Sequence, residues 1–220
     1  MKNKNIVQNL LVFIAAIAPF IYAYFIWDSL PERVALHFGI DGTPDSFGAK
    51  KSVLNVPILL MVVSIGVFFL IKNITKFDPK KAAPMPDDAR EKMAFAVVIF
   101  MSGLSIYVLN AALKSQTDNF IFVIVGLLLV VMGNLMHSLK PSYFIGIRLP
   151  WTLENAENWR KTHQFGSKIY VIGGLILLLS AMIVPAEMMM GVVMGVVAII
   201  VIIPTVFSYR EFRKNRVHVD

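Results

Sequence analysis

The sequence predicts an all-α integral membrane protein of six transmembrane helices with both termini in the cytoplasm, and three observations carry that reading. Of 220 residues, 57% are hydrophobic and 16% are charged, and the charges gather between long apolar runs. Six such runs recur, at residues 6–27, 53–71, 94–113, 120–139, 166–184 and 188–207, each near the ~20 residues a helix needs to cross a bilayer. They are apolar around the whole helical circumference, as lipid-facing helices must be. The third observation is the placement of positive charge. Of 21 Lys and Arg, only Arg33, Lys50, Lys51 and Lys114 fall opposite the N terminus, and the other seventeen share its side. Cytoplasmic loops collect Lys and Arg, so the N terminus is set inside.

Each element follows in order. The first run is longer than the apolar stretch of a signal peptide and ends in Tyr22, Tyr24 and Trp27, an interfacial belt, so it reads as an uncleaved first helix. Within the inner connection at 72–93, the Pro-rich segment from Asp78 to Asp88, with Pro79, Pro84 and Pro86, reads as a cytoplasmic linker. On the fourth span, Asn134 and His137 are three apart and share a face near the cytoplasmic end. Two roles stand open for them, a polar contact with the following loop and a helix–helix hydrogen bond. In the last run, Gly191 and Gly195 form a GxxxG, read as close helix packing, and Met188, Met189, Met190 and Met194 read as adaptable packing before Cu(I) ligands.

Composition also excludes functions. A net charge of +7 suggests nucleic acid, but the basic residues sit at the ends of apolar runs, where they orient helices and meet anionic lipids. No direct nucleic-acid binding is expected. Without Cys there are no disulfides, thiolate metal sites or cysteine nucleophiles. No Asp or Glu lies within any predicted span, against an intramembrane aspartyl protease or a carboxylate proton relay. No nucleophile–base pairing or HExxH-type motif is present, so neither an enzyme nor a cofactor is expected.

Two connections hold residues in a composed order. The outer loop, 28–52, carries His37, Asp41 and Asp45 around the turn dipeptides Asp41-Gly42 and Pro44-Asp45. Such a trio suits a divalent cation or a peptide; equally, the Asp side chains serve as turn caps while Leu36, Phe38 and Phe47 rest on the membrane. The inner loop, 140–165, carries Arg148, Trp151, Trp159, Arg160, Lys161 and His163. Thr152 is the expected N-cap of a short surface helix, with Glu154 in its first turn. On that reading both tryptophans lie at headgroup level and the basic residues face anionic lipid.

The inner residues carry a resemblance. GIRLPWTL at 146–153, followed by Trp159, Thr162, His163 and Gly166, resembles the signature of the SdpI family of bacterial membrane proteins associated with immunity to secreted peptide toxins. Asn134 resembles a further family position. The outer LP…HF…DG.PD…K, on Pro31, His37, Phe38, Gly42, Asp45 and Lys50, is similar to a module often joined N-terminally to that signature. Three departures, Ser142 in place of Asn, Leu149 in place of Thr and Gln164 in place of Arg, leave the particular toxin open. The resemblance implies a non-enzymatic, multi-pass immunity protein of the bacterial cytoplasmic membrane. Its implied partners are a secreted peptide toxin and a cytoplasmic repressor held at the membrane by the inner loop. The functional residues so implied are Gly146, Arg148, Pro150, Trp151, Thr152, Trp159, His163 and Asn134 inside, and Pro31, His37, Asp41, Asp45 and Lys50 outside. A small transporter or lipid-handling protein is the alternative.

The chain divides into an N-terminal three-helix module, 1–113, and an SdpI-like module, 114–220. Both long loops hold Leu-Pro and then His, Phe and Gly: Leu30-Pro31 with His37-Phe38-Gly39, and Leu149-Pro150 with His163, Phe165 and Gly166. This is a loose signal of a 3+3 inverted repeat.

Overall fold

The computed structural model describes residues 2–39, 42–77 and 87–217. Asp41 and the Pro-rich linker lie outside them. Helix α1 (Lys2–Ile26) is followed by a hairpin of β1 (Arg33–Phe38) and β2 (Pro44–Ala49). Then come α2 (Asn55–Phe77), α3 (Asp87–Lys114), α4 (Phe120–Met136), α5 (Pro150–Glu154), α6 (Ala156–Ile183) and α7 (Ala186–Val217). The protein is an all-α, multi-pass membrane protein carrying one small antiparallel hairpin, which the turn-rich outer loop did not advertise. Five of the helices are long and apolar enough to cross a bilayer. The sixth, α4, has 17 residues, about 26 Å at 1.5 Å per residue, the lower limit for a crossing.

Tertiary contacts sort the connections to two ends of the bundle, as six alternating crossings require. At one end the backbone N–H of Thr117, between α3 and α4, donates to the hairpin's Gly42 carbonyl at 3.4 Å. Beside it, the Asn119 amide donates to the carbonyl of Val184, at the end of α6, at 2.8 Å. At the other end Ile71, Ala89, Leu135, Met136 and Leu139 share one apolar cluster with Ile145 and Ile147.

Within the first half α3 packs against both α1 and α2; within the second, α6 packs against both α4 and α7. A repeat inverted about the 114–119 loop would instead make α7 central, so the two halves differ in packing order. The seam between α4 and α6 is made by glycine. A Cβ on Gly126 would stand 2.8 Å from the Gly174 carbonyl oxygen, and one on Gly133 2.9 Å from that of Ser167. Small residues let backbones approach this closely where lipid offers no hydrophobic driving force.

The predicted GxxxG does not take part: a Cβ on Gly191 or Gly195 would meet nothing within 4 Å. That face of α7 is exposed, and α7 meets α6 through Val196 and Ile200 instead.

Candidate functional site: a buried polar knot and an outer hairpin

Residues 139–163 fold back on α6 and are tied there by side chains that donate and accept in pairs. Asn155 is the N-cap of α6; its Oδ1 accepts from the backbone N–H groups of Glu157 and Asn158, each at 2.9 Å. That cap starts the helix ten residues before the predicted apolar span and turns Trp159, Thr162 and His163 inward. Trp159 is 1% exposed and donates from Nε1 to the Leu139 carbonyl at 3.0 Å. The expected headgroup position is therefore wrong for Trp159, because the next turn of α6 needs its ring against the loop. His163 lies 4.0 Å from the Trp159 ring, nearly parallel to it.

The protonation of His163 follows from its partners. Nε2 accepts from the Ile147 backbone N–H at 2.9 Å, so the proton is on Nδ1, which donates to the Trp159 carbonyl at 2.8 Å. The imidazole is neutral. Gly146 lies on this ring stack with φ +117°, and a Cβ there would run into His163 Nε2 and stand 2.9 Å from the Trp159 ring. Only glycine adopts that backbone readily, and only glycine leaves the ring its place.

A second chain of bonds ties the motif to α7. Trp151 Nε1 donates to Ser208 Oγ at 2.8 Å, Ser208 Oγ donates to Asn158 Oδ1 at 3.1 Å, and Thr162 Oγ1 donates to the same oxygen at 2.9 Å. Asn158 completes the ring by donating from Nδ2 to the Ser208 carbonyl at 3.0 Å. Asn158, Thr162 and Ser208 are fully buried, and every polar group of Asn158 is satisfied, which is what a polar cluster in lipid requires. Trp151 packs its ring against both Tyr209 and Phe212.

The start of α5 corrects another expectation. Leu149 is the N-cap and Pro150 the first helical residue, while Thr152, at the third position, accepts from the Leu149 backbone N–H at 2.9 Å. Proline decides the frame, because its fixed φ and missing N–H suit the first helical position. Arg148 is exposed and spends one edge of its guanidinium on the Tyr143 carbonyl, at 2.7 Å. Asn134 stays outside the knot: it is exposed, as is His137, because Gly133 claims the face of α4 that meets α6.

At the opposite end, Val34 anchors the hairpin, with no exposure, among Leu30, Val53, Leu109 and Ala112. Lys50 lies over the Trp27 ring, 5.5 Å from its centre, and 3.9 Å from Glu32. Pro31 is exposed just before β1. His37 and Asp45 meet across the hairpin at 2.6 Å, both largely exposed. Two of the three expected cation ligands thus bond to each other, and among the described residues no three His, Asp or Glu gather as a metal site. Beneath the hairpin is a cavity of about 350 Å³, lined by Leu36, Phe38, Tyr107, Asp118, Asn119 and Met190. The Asn119 Oδ1 is buried and accepts no hydrogen bond from the described residues.

Comparison with known proteins falls on these two places. Residues 138–208 match the SdpI/YfhL protein family, and 14–61 match a domain of unknown function (DUF1648). The first match runs from one residue before Leu139 to Ser208, the outermost partners in the knot. The second spans the C-terminal half of α1, the whole hairpin and the start of α2. Over 212 residues the chain is 21% identical to the Immunity protein SdpI of Bacillus subtilis (strain 168), covering 96% of this chain and 97% of that one.

The region 138–208 is an SdpI/YfhL family match. No solved structure matches the chain significantly. Among the residues of the family match, Asn155, Asn158 and Ser208 do as much to build the knot as Trp159 or His163, yet they escaped sequence reasoning. For Asn155 a signal existed: it stands three residues before Asn158 at a break in the helical pattern, as an N-cap does. For Ser208, fifty residues from its partner, none existed.

Proposed function

We propose that this chain is a non-enzymatic immunity protein of the bacterial cytoplasmic membrane that protects its cell from a secreted, membrane-active peptide. The observation that carries the reading is the end-to-end likeness to an immunity protein, over 96% of this chain. The geometry supplies a face for each task. With the N and C termini in the cytoplasm, the hairpin end faces outward, where the peptide arrives. There the cavity under Leu36 and Phe38 offers apolar walls, and Asn119 Oδ1 offers an acceptor for a peptide N–H. The knot end faces inward and presents the free edge of Arg148, a planar fork suited to a carboxylate, as a dock for a cytoplasmic repressor. The module 1–113 then receives and the module 114–220 reports.

The test is protection. Expressing the chain in a sensitive bacterium raises survival against a peptide secreted by its own source, and Arg148→Lys impairs linked signalling while leaving the amount of membrane protein unchanged. Absence of protection by the unaltered chain, shown to be present in the membrane, overturns the reading. One observation favours a different class: an apolar cleft of about 580 Å³ opens between α3 and α4, the contact joining the two modules. A lipid-handling protein would use such a cleft, and movement of a labelled lipid by the purified protein in proteoliposomes would select that reading.

A further inference from the structure

A third cavity, of about 570 Å³, lies at the knot end of the bundle between α1, α2 and α3, and neither family motif contributes to it. Among the described residues four cations line it, Lys72, Lys76, Arg90 and Lys92, against a single carboxylate, Glu91. The contacts of Lys72 are neutral: its Nζ donates to Asn9 Oδ1 at 3.2 Å and lies 5.4 Å from the centre of the Phe68 ring. Among the described residues neither Lys72 nor Lys76 has a carboxylate partner. The inner-loop cation Lys161, by contrast, is held by Glu157 at 3.1 Å and Glu211 at 2.9 Å. The rest of the lining includes the apolar side chains of Leu11, Phe68 and Phe95.

We propose that this cavity is a binding site for a phosphate ester, the headgroup of an anionic phospholipid whose acyl chains lie along Leu11 and Phe68. Lys72 and Lys76 repel each other across one turn of helix until an anion joins them, and a phosphodiester at the bilayer surface brings charge and acceptor oxygens together. The carboxamides of Asn9 and Asn73 add neutral donors at the same level. Lys72 and Lys76 are four apart on α2 and reach the cavity from one helix face. The site is independent of the immunity reading, since it uses no residue of the hairpin or the knot.

The experiment places the purified, delipidated protein in nanodiscs of phosphatidylcholine with or without phosphatidylglycerol, and in a third arm adds inorganic phosphate to detergent-solubilised protein. Native mass spectrometry counts retained lipid, and thermal unfolding reads the stabilisation. Phosphatidylglycerol is expected to be retained and to raise the unfolding temperature relative to phosphatidylcholine. The double variant Lys72→Gln/Lys76→Gln is expected to weaken retention by on the order of thirtyfold, about fivefold for each basic group. The double variant Arg213→Gln/Lys214→Gln removes equal charge outside the cavity and is expected to keep the preference. Stabilisation by inorganic phosphate, lost in Lys72→Gln/Lys76→Gln, supports the same anion chemistry with a soluble source. Equal behaviour in both lipids with no effect of phosphate overturns the proposal, as does equal loss in the two double variants.

Discussion

His163 shows how one side chain holds a fold together by doing two opposite things at once. It donates from Nδ1 and accepts at Nε2, and its ring fills the space Gly146 leaves open. His163→Phe keeps the stacking and removes both bonds, leaving the Ile147 N–H and the Trp159 carbonyl without their partner. Each such buried loss costs about 1–3 kcal/mol, so the thermal midpoint in detergent is expected to fall by several degrees. Acid acts on the same bond: a proton on Nε2 would face the Ile147 N–H. Gly146→Ala adds a Cβ where φ is +117° and the His163 ring stands, and the expected cost is about 1–3 kcal/mol from backbone strain. An unchanged midpoint in either variant would show that the knot contributes nothing to stability.

At the level of elements, the glycines separate into two sets that a motif search treats alike. Gly126, Gly133 and Gly174 bring α4 and α6 into backbone contact, whereas Gly191 and Gly195 face outward. Gly133→Ala forces a Cβ against the Ser167 carbonyl and is expected to lower the unfolding temperature and the yield of folded protein; Gly191→Ala/Gly195→Ala leaves both unchanged. The reverse ranking would mean that α7, and not α6, is the partner of α4. Asn155 belongs to this scale as well, because it starts α6. Asn155→Ala leaves two N–H groups uncapped and is expected to cost about 1 kcal/mol, read as a lower midpoint, with Asn155→Asp restoring most of it.

Considered whole, the molecule makes one claim that its charges predict and its packing sharpens, namely which parts share a side. The chain lacks Cys, so single cysteines report without background. Ser46→Cys, on the hairpin, is expected to react with an impermeant maleimide in intact cells, and Ala83→Cys, in the linker, only after lysis. Labelling in the opposite sense would invert the orientation and move the hairpin into the cytoplasm. The loop pattern shared by the two halves, Leu-Pro and then His, Phe and Gly, joins no common packing order, since α3 is central in one half and α6 in the other.

Membrane class, the number of crossings and the sorting of loops were legible in the sequence because they depend on one-dimensional quantities: the length of an apolar run against bilayer thickness, and the side on which charge gathers. The resemblance in the inner loop was legible for the same reason, as adjacent residues in a fixed order. What the residues of that loop touch was not. Trp151 and Trp159 stand eight residues apart in one loop, yet Trp159 is sealed against His163, because the Asn155 cap sets the rotation of α6, while Trp151 on the separate α5 reaches Ser208. The outer loop hid a β-hairpin, since β1 and β2 are stabilised by pairing with each other and by Val34 entering a core drawn from α1 and α3. Pairing across a membrane bundle depends on distances between residues remote in the chain, and those distances exist only once the helices have packed.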